Sequence, residues 1–181
     1  MRRALKLHPD SHCDTVSGIE VDIARPRPHA LILRYSIRGK VADIAWPPRT
    51  APIRADELWR HTCFEAFVRE GSGERYFECN FAPSTQWAMY AFSDYRSEMR
   101  RVERTKAPRI VSHSDDAHYE LDVSVEFGAA PDATTWRLGL SAVIVETNGR
   151  ISWWALSHPP GKPDFHHSDC FALTLPAPLQ P

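Results

Sequence analysis

The residues best suited to chemistry crowd one stretch near the C-terminus, Trp154-Ala-Leu-Ser-His158-Pro-Pro-Gly-Lys-Pro-Asp164-Phe-His166-His167-Ser-Asp169. Its prolines restrict the backbone. Imidazole and carboxylate groups hold a divalent metal when a fold brings them together. In an extended strand Asp164 and His166 point the same way and His167 points away. The spacing matches no metal consensus, so lining a pocket and structural hydrogen bonding are the other readings. A second group is carboxylic. Glu65 paired with Glu78 or with Asp164 would supply the acid and base of glycoside hydrolysis. No GxSxG elbow, GxGxxG, P-loop or HExxH is present. The six tryptophans form a third group. Trp46, Trp59 and Trp87 fall near loops or strand ends. Trp153 and Trp154 are adjacent and face opposite ways in a strand. Such rings either pack a core or stack on the apolar face of a sugar. The four cysteines, Cys13, Cys63, Cys79 and Cys170, fit no zinc or CxxC framework. They read as free thiols rather than a Cys63–Cys79 bridge or a catalytic nucleophile.

Short strands must position these side chains. Leu31, Leu33, Tyr35 and Ile37 alternate with polar residues, apart from Ile32, and Tyr119 to Phe127 alternates more cleanly still. Trp136 to Ile144 and Ile151 to Leu156 flank Asn148-Gly149, a hairpin signal. A second hairpin joins 62–68 to 75–81 through Glu70-Gly-Ser-Gly-Glu74. With a symmetric five-residue loop, Glu65 faces Cys79, among Cys63, Phe67, Phe77 and Phe81. A carboxylate there needs a partner such as Arg60, or else anchors a ligand. Tyr76, Glu78 and Asn80 then form a polar strip on the other face. Further strands are expected at 86–92, 4–7, 18–23, 41–45, 109–113 and 170–175. The stretch 93–106 is a turn or one short helix, with Tyr95, Met99 and Val102 on one face. About ten short strands with turns between them imply an all-β sandwich or barrel.

Composition narrows the function classes. The chain has 181 residues, 43% of them hydrophobic and 25% charged, which fits one folded domain. A net charge of -1 gives no bulk attraction to nucleic acid or an anionic membrane. No apolar run is long enough to span a bilayer. The segment 1–14 lacks the apolar core of a secretory signal, so a cytosolic protein is expected.

Three segments also carry a resemblance: Leu58-Trp-Arg-His-Thr-Cys-Phe-Glu-Ala-Phe67, Tyr76-Phe-Glu-Cys-Asn-Phe-Ala-Pro-Ser-Thr-Gln-Trp-Ala-Met-Tyr90, and the closing stretch 154–171. They resemble a bacterial family of DOMON-like proteins. The resemblance implies a β-sandwich like that of family-9 carbohydrate-binding modules, whose wider group binds sugars or haem. Axial candidates for haem are His61, Met89, His158 and His166. We therefore expect one antiparallel β-sandwich domain over residues 1–181, binding a small ligand without catalysis, foremost a sugar or sugar derivative. The expected pocket combines Trp59, Glu65, Asn80, Trp87 and Trp154 with the loop of His158, Asp164 and His166. No cofactor is required in this reading. A haem or divalent-metal protein and a sugar-processing enzyme using Glu65 or Asp164 are the alternatives.

Overall fold

Two kinds of strand build the two layers, and their burial patterns differ. The computed structural model describes residues 1–103, 105–128 and 135–178. Strands are numbered in chain order. The first layer runs β1 (Arg2–Leu7), β2 (Val16–Arg27), β3 (Ala30–Gly39), β9 (His118–Glu126) and β8 (Arg109–Ser114). Its strands alternate. Along β3, Leu31, Leu33, Tyr35 and Ile37 are buried, whereas Ile32, Arg34 and Arg38 are exposed. Side chains two apart share a face, so this layer has one apolar and one wet face.

The second layer runs β7 (Arg100–Arg101), β6 (Trp87–Phe92), β5 (Tyr76–Phe81), β4 (Cys63–Glu70), β10 (Trp136–Val145) and β11 (Ile151–Ala155). A short β12 (Leu173–Leu175) extends it by pairing with the start of β10. Here burial is nearly unbroken. Seven successive residues of β4 are buried, so both faces of this layer are covered.

Strand β1 stitches the layers together. Arg2 to Leu5 pair with β2, and Lys6 and Leu7 then pair with β11. The result is one antiparallel sheet of 12 strands, curled so that its halves face each other as a β-sandwich. The main core lies between them. Across it Tyr35 donates from its hydroxyl to the Glu65 carbonyl at 2.7 Å, and its ring lies 4.9 Å from that of Phe64. Among the described residues, no helix is long and apolar enough to cross a membrane.

Two expectations change, and the open reading of 93–106 resolves to a turn. Residues 41–45 are not a strand. Val41–Asp43 is a 3-10 turn whose buried residues are Val41 and, just beyond, Ile44. A spacing of three suits one turn of that helix. The segment 93–106 contains no helix among its described residues, residue 104 lying outside them. Tyr95 and Met99 are exposed, so no apolar stripe exists to dock a helix. Ser93 and Ser97 instead close a tight turn, with Arg96 and Glu98 at φ 50, and β7 follows. The stretch 170–175 begins as a 3-10 turn, Ser168–Cys170, before β12.

The β4–β5 hairpin is one residue out of the expected register. Arg69 pairs with Tyr76, so Glu65 faces Asn80 and Ala66 faces Cys79. Gly71 takes φ 58 in the loop, a conformation glycine adopts without penalty. Side-chain polarity explains the choice. Phe64, Ala66 and Val68 form an apolar face on β4, and Phe77, Cys79 and Phe81 form one on β5. Aligning these toward the main core leaves Cys63, Glu65 and Phe67 beside Tyr76, Glu78 and Asn80 on the other side. A slip of one residue exchanges every side chain between faces. Cys63 and Cys79 therefore lie on opposite faces, and all four cysteines are free.

Candidate functional site

The outer face of the second layer is roofed by loops. A second apolar cluster there joins Cys63, Phe67, Tyr76, Tyr90, Phe92 and Val143 of the strands to Leu58, Phe165 and Phe171 of the loops. Gly139 lets the roof close. It lies opposite Phe67, and a methyl group on it would sit 3.0 Å from the Cys170 carbonyl oxygen. The Cys170 thiol donates toward the carbonyls of Ser157 and Asp164, both at 3.2 Å, tying the His158–Asp169 stretch together.

Between roof and sheet is a cavity of about 390 Å³. Glu65 and Glu78 stand on its floor, only 2% and 5% exposed. Ser141 of β10 donates to Glu65 Oε2 at 2.9 Å. Asn80 donates to Glu78 Oε1 at 2.7 Å. Arg60 pairs instead with Glu57, so it is not the partner of Glu65. Burial pushes the Glu65 carboxyl up, and the neighbouring Glu78 adds to the shift. Burial also raises Glu78, against the Asn80 hydrogen bond and the field of Arg96. Two carboxyls so placed share their protons and titrate as a pair.

His166 closes one wall. Its ring lies 5.1 Å from both Phe67 and Phe92, and burial lowers its pKa to about 4. Tyr76 holds its ring in place. The Tyr76 oxygen accepts the Arg96 backbone N–H at 3.1 Å, and its hydroxyl lies 2.8 Å from His166 Nδ1. His166 Nε2 lies 3.6 Å from Glu78 Oε2. That contact joins a carboxyl to a neutral ring and is not an ion pair.

Asp164 is a structural clamp beneath the rim. It accepts from Tyr95 at 2.5 Å, from the Arg96 guanidinium at 2.8 Å and from the His166 backbone at 3.1 Å. Burial pushes its carboxyl up, but these donors outweigh burial and hold it below the usual carboxylate range. Trp59, 36% exposed, and the half-buried Trp153 supply aromatic surface at the mouth.

The expected site residues divide accordingly. Trp59, Glu65 and His166 line the cavity, while Asn80 and Asp164 support it through Glu78 and Arg96. Trp87, Trp154 and His158 do not line it. Trp87 and Trp154 belong to the main core, Trp87 beneath the Arg54 guanidinium and Trp154 bonded to Ser152. Trp153 takes the wall position because it pairs with Val143, which faces the cavity, whereas Trp154 pairs with the inward Ala142. His158 lies 4.8 Å from His8, with Nε2 bonded to the Lys6 carbonyl. Arg96 went unnoticed in the segment 93–106, where Tyr95 was read only as part of an apolar face. Glu78 and Tyr76 carried a signal in the polar strip, but on the wrong face.

No group of three or more metal-ligating residues assembles among the described residues. Of the haem candidates, Met89 is inside the main core, His61 is exposed at the end of the Leu58–Arg60 turn, His158 bonds the Lys6 carbonyl through Nε2, and His166 lines the cavity with Nδ1 against Tyr76.

Fold and cavity thus define a β-sandwich with a roofed pocket on one outer face, and solved structures share that fold. A "putative carbohydrate-binding protein" from Bacteroides uniformis superposes with a TM-score of 0.63 at 11% identity, covering 94% of this chain and 83% of its own. A family-9 carbohydrate-binding module from Caldicellulosiruptor kristjanssonii, in complex with cellotriose, superposes with a TM-score of 0.56 at 8% identity, covering 89% and 74%. No family model matches the sequence, and no curated protein does.

Proposed function

We propose that the protein is a non-catalytic binding domain for a small ligand, foremost a sugar or sugar derivative. The carrying observation is the cavity itself, with partly exposed Trp59 and Trp153 at its mouth above the hydrogen-bonding groups of Glu65, Glu78 and His166. Aromatic surface suits the apolar face of a sugar ring, and convergent polar groups suit its hydroxyls. The carbohydrate-binding folds it resembles support the reading. The binding unit in this proposal is one domain made by the whole chain. Four unbridged thiols favour a reducing compartment such as the cytosol.

A thermal-shift screen against sugars, sugar nucleotides, haem and divalent metals tests this. A ligand at about ten times its Kd adds roughly 1.4 kcal/mol. That raises the midpoint by about 2–4 °C in a domain of this size. A sugar is expected to score, and Trp59→Ala and Trp153→Ala are each expected to abolish the shift. No response to any sugar, or a response unchanged in both variants, contradicts the proposal.

One observation favours a second reading, an enzyme acting on a sugar. Glu65 is a carboxyl pushed up inside a cleft, as a general acid must be. Its partner in that reading is Glu78, because Asp164 is clamped as a carboxylate. Turnover that vanishes in Glu65→Gln while binding persists would favour this reading.

A further inference from the structure

The charge balance of the cavity specifies the ligand further. Glu65 is almost wholly buried, and its Oε1 takes no hydrogen bond among the described residues, although the side chain lines the cavity. Glu78 spends one oxygen on Asn80, while the other meets only the His166 edge at 3.6 Å. Among the described residues no lysine or arginine forms an ion pair with either carboxyl, and Arg96 reaches them only through its field. Arg96 is the one guanidinium or ammonium lining the cavity among the described residues, and Asp164 holds it at 2.8 Å. The walls are Phe67, Phe92, Phe165, Trp59 and Trp153. Ring faces attract cations, as carboxylates do.

We propose that this cavity takes a ligand bearing a protonated amine, with its ammonium seated between Glu65 and Glu78. Resting on the sugar reading above, the ligand class is an amino sugar with a free amine. The ammonium supplies three donors to acceptors that otherwise lack them, while the aromatic walls cover the rest of the ring.

Proton traffic follows. In the empty cavity the two carboxyls repel each other and are desolvated, so the pair holds protons above the ordinary carboxyl range. An ammonium between them favours the ionised form. Binding therefore expels a proton to the buffer. The groups facing the pair are Cys63 on β4, Tyr76 on β5, Tyr90 on β6, Ser141 on β10, Arg96 on the turn, and Asp164 and His166 on the C-terminal loop, and burial keeps the Cys63 thiol and the Tyr90 phenol protonated. Burial keeps Tyr76 and His166 neutral near neutral pH, and Arg96 and Asp164 neutralise each other. The released proton thus comes from the Glu65–Glu78 pair.

Calorimetric titration of the full chain at mildly acidic pH, in two buffers of different ionisation enthalpy, tests this. The probes are glucosamine, N-acetylglucosamine, glucose and cyclohexylamine. Glucosamine is expected to bind about tenfold or more tightly than the two uncharged sugars, with proton release. Glu65→Gln and Glu78→Gln are each expected to erase that preference and the release. Equal affinity for all three sugars, or tighter binding without proton release, overturns the amine inference and leaves the sugar reading standing. Cyclohexylamine binding without any sugar keeps the amine and overturns the sugar reading. Silence from all four probes overturns both.

Discussion

The outer faces of the two layers use the same residue types to opposite ends. On the first layer acidic and basic side chains alternate across neighbouring strands in water. Arg34 reaches Asp122 at 2.6 Å and Arg2 reaches Asp22 at 2.6 Å, with the arginines 50% and 61% exposed. On the second layer Glu65 and Glu78 are sealed under loops, with only neutral groups as hydrogen-bond partners. Exposed pairs contribute little because water screens them. Buried carboxyls without a cation are destabilising, so the second face trades stability for a polar cavity. The lesson is that a roof, not a residue inventory, turns a sheet face into a site.

The largest way to break this contrast is to remove the roof's footing. Phe67 is buried between His166 and Phe171, so Phe67→Ala is expected to cost about 3–5 kcal/mol in chemical denaturation. An equivalent truncation on the wet face should cost far less.

His166 gives the next effect, and it is pH-dependent. Its pKa falls from 6.5 when unfolded to about 4 when folded. The folded state thus binds fewer protons. Its stabilising contribution is present above about 6.5 and is lost as pH falls toward 4, by up to about 3 kcal/mol. Denaturation of His166→Gln across that range should show a flatter acid limb than the native chain.

The Glu65–Glu78 pair has the opposite sign. Its folded pKa is raised, so the folded state binds more protons. Stability is present below the ordinary carboxyl range and is lost as pH rises through the elevated one. Glu65→Gln mimics the neutral acid and should gain about 1–3 kcal/mol on the alkaline side. A variant no more stable there than the native chain would refute the unpaired-carboxyl account.

The smallest effect lies on the wet face. A double-mutant cycle of Arg34→Ala with Asp122→Ala should report a coupling of about 0.2–1 kcal/mol that fades with added salt.

Much of this contrast was legible in the sequence. The alternation in 31–38 and 119–127 reports one wet face directly, and Asn148-Gly149 marks the β10–β11 hairpin of the other layer. The second layer was harder because covered strands lose their alternation. The 62–81 hairpin shows why. Its polar strip was visible, but loop length alone misplaced the register by one residue and sent Tyr76, Glu78 and Asn80 away from Glu65. Matching the apolar faces of the two strands would have corrected it. The choice of Trp153 over Trp154 depends on which neighbour faces the cavity, a pairing no local pattern fixes. Arg96 sits in a turn defined by hydrogen bonds to distant residues.

The central claim, that the roofed face binds and the wet face does not, is tested most directly by following tryptophan indole N–H signals by NMR during a glucosamine titration. Trp59 and Trp153 should shift with one common affinity. Trp87, Trp136 and Trp154, buried in the main core, should move little. Backbone signals around Arg34 and Asp122 should stay in place. Shifts confined to those wet-face residues, or binding that leaves both Trp59 and Trp153 untouched, would contradict the account.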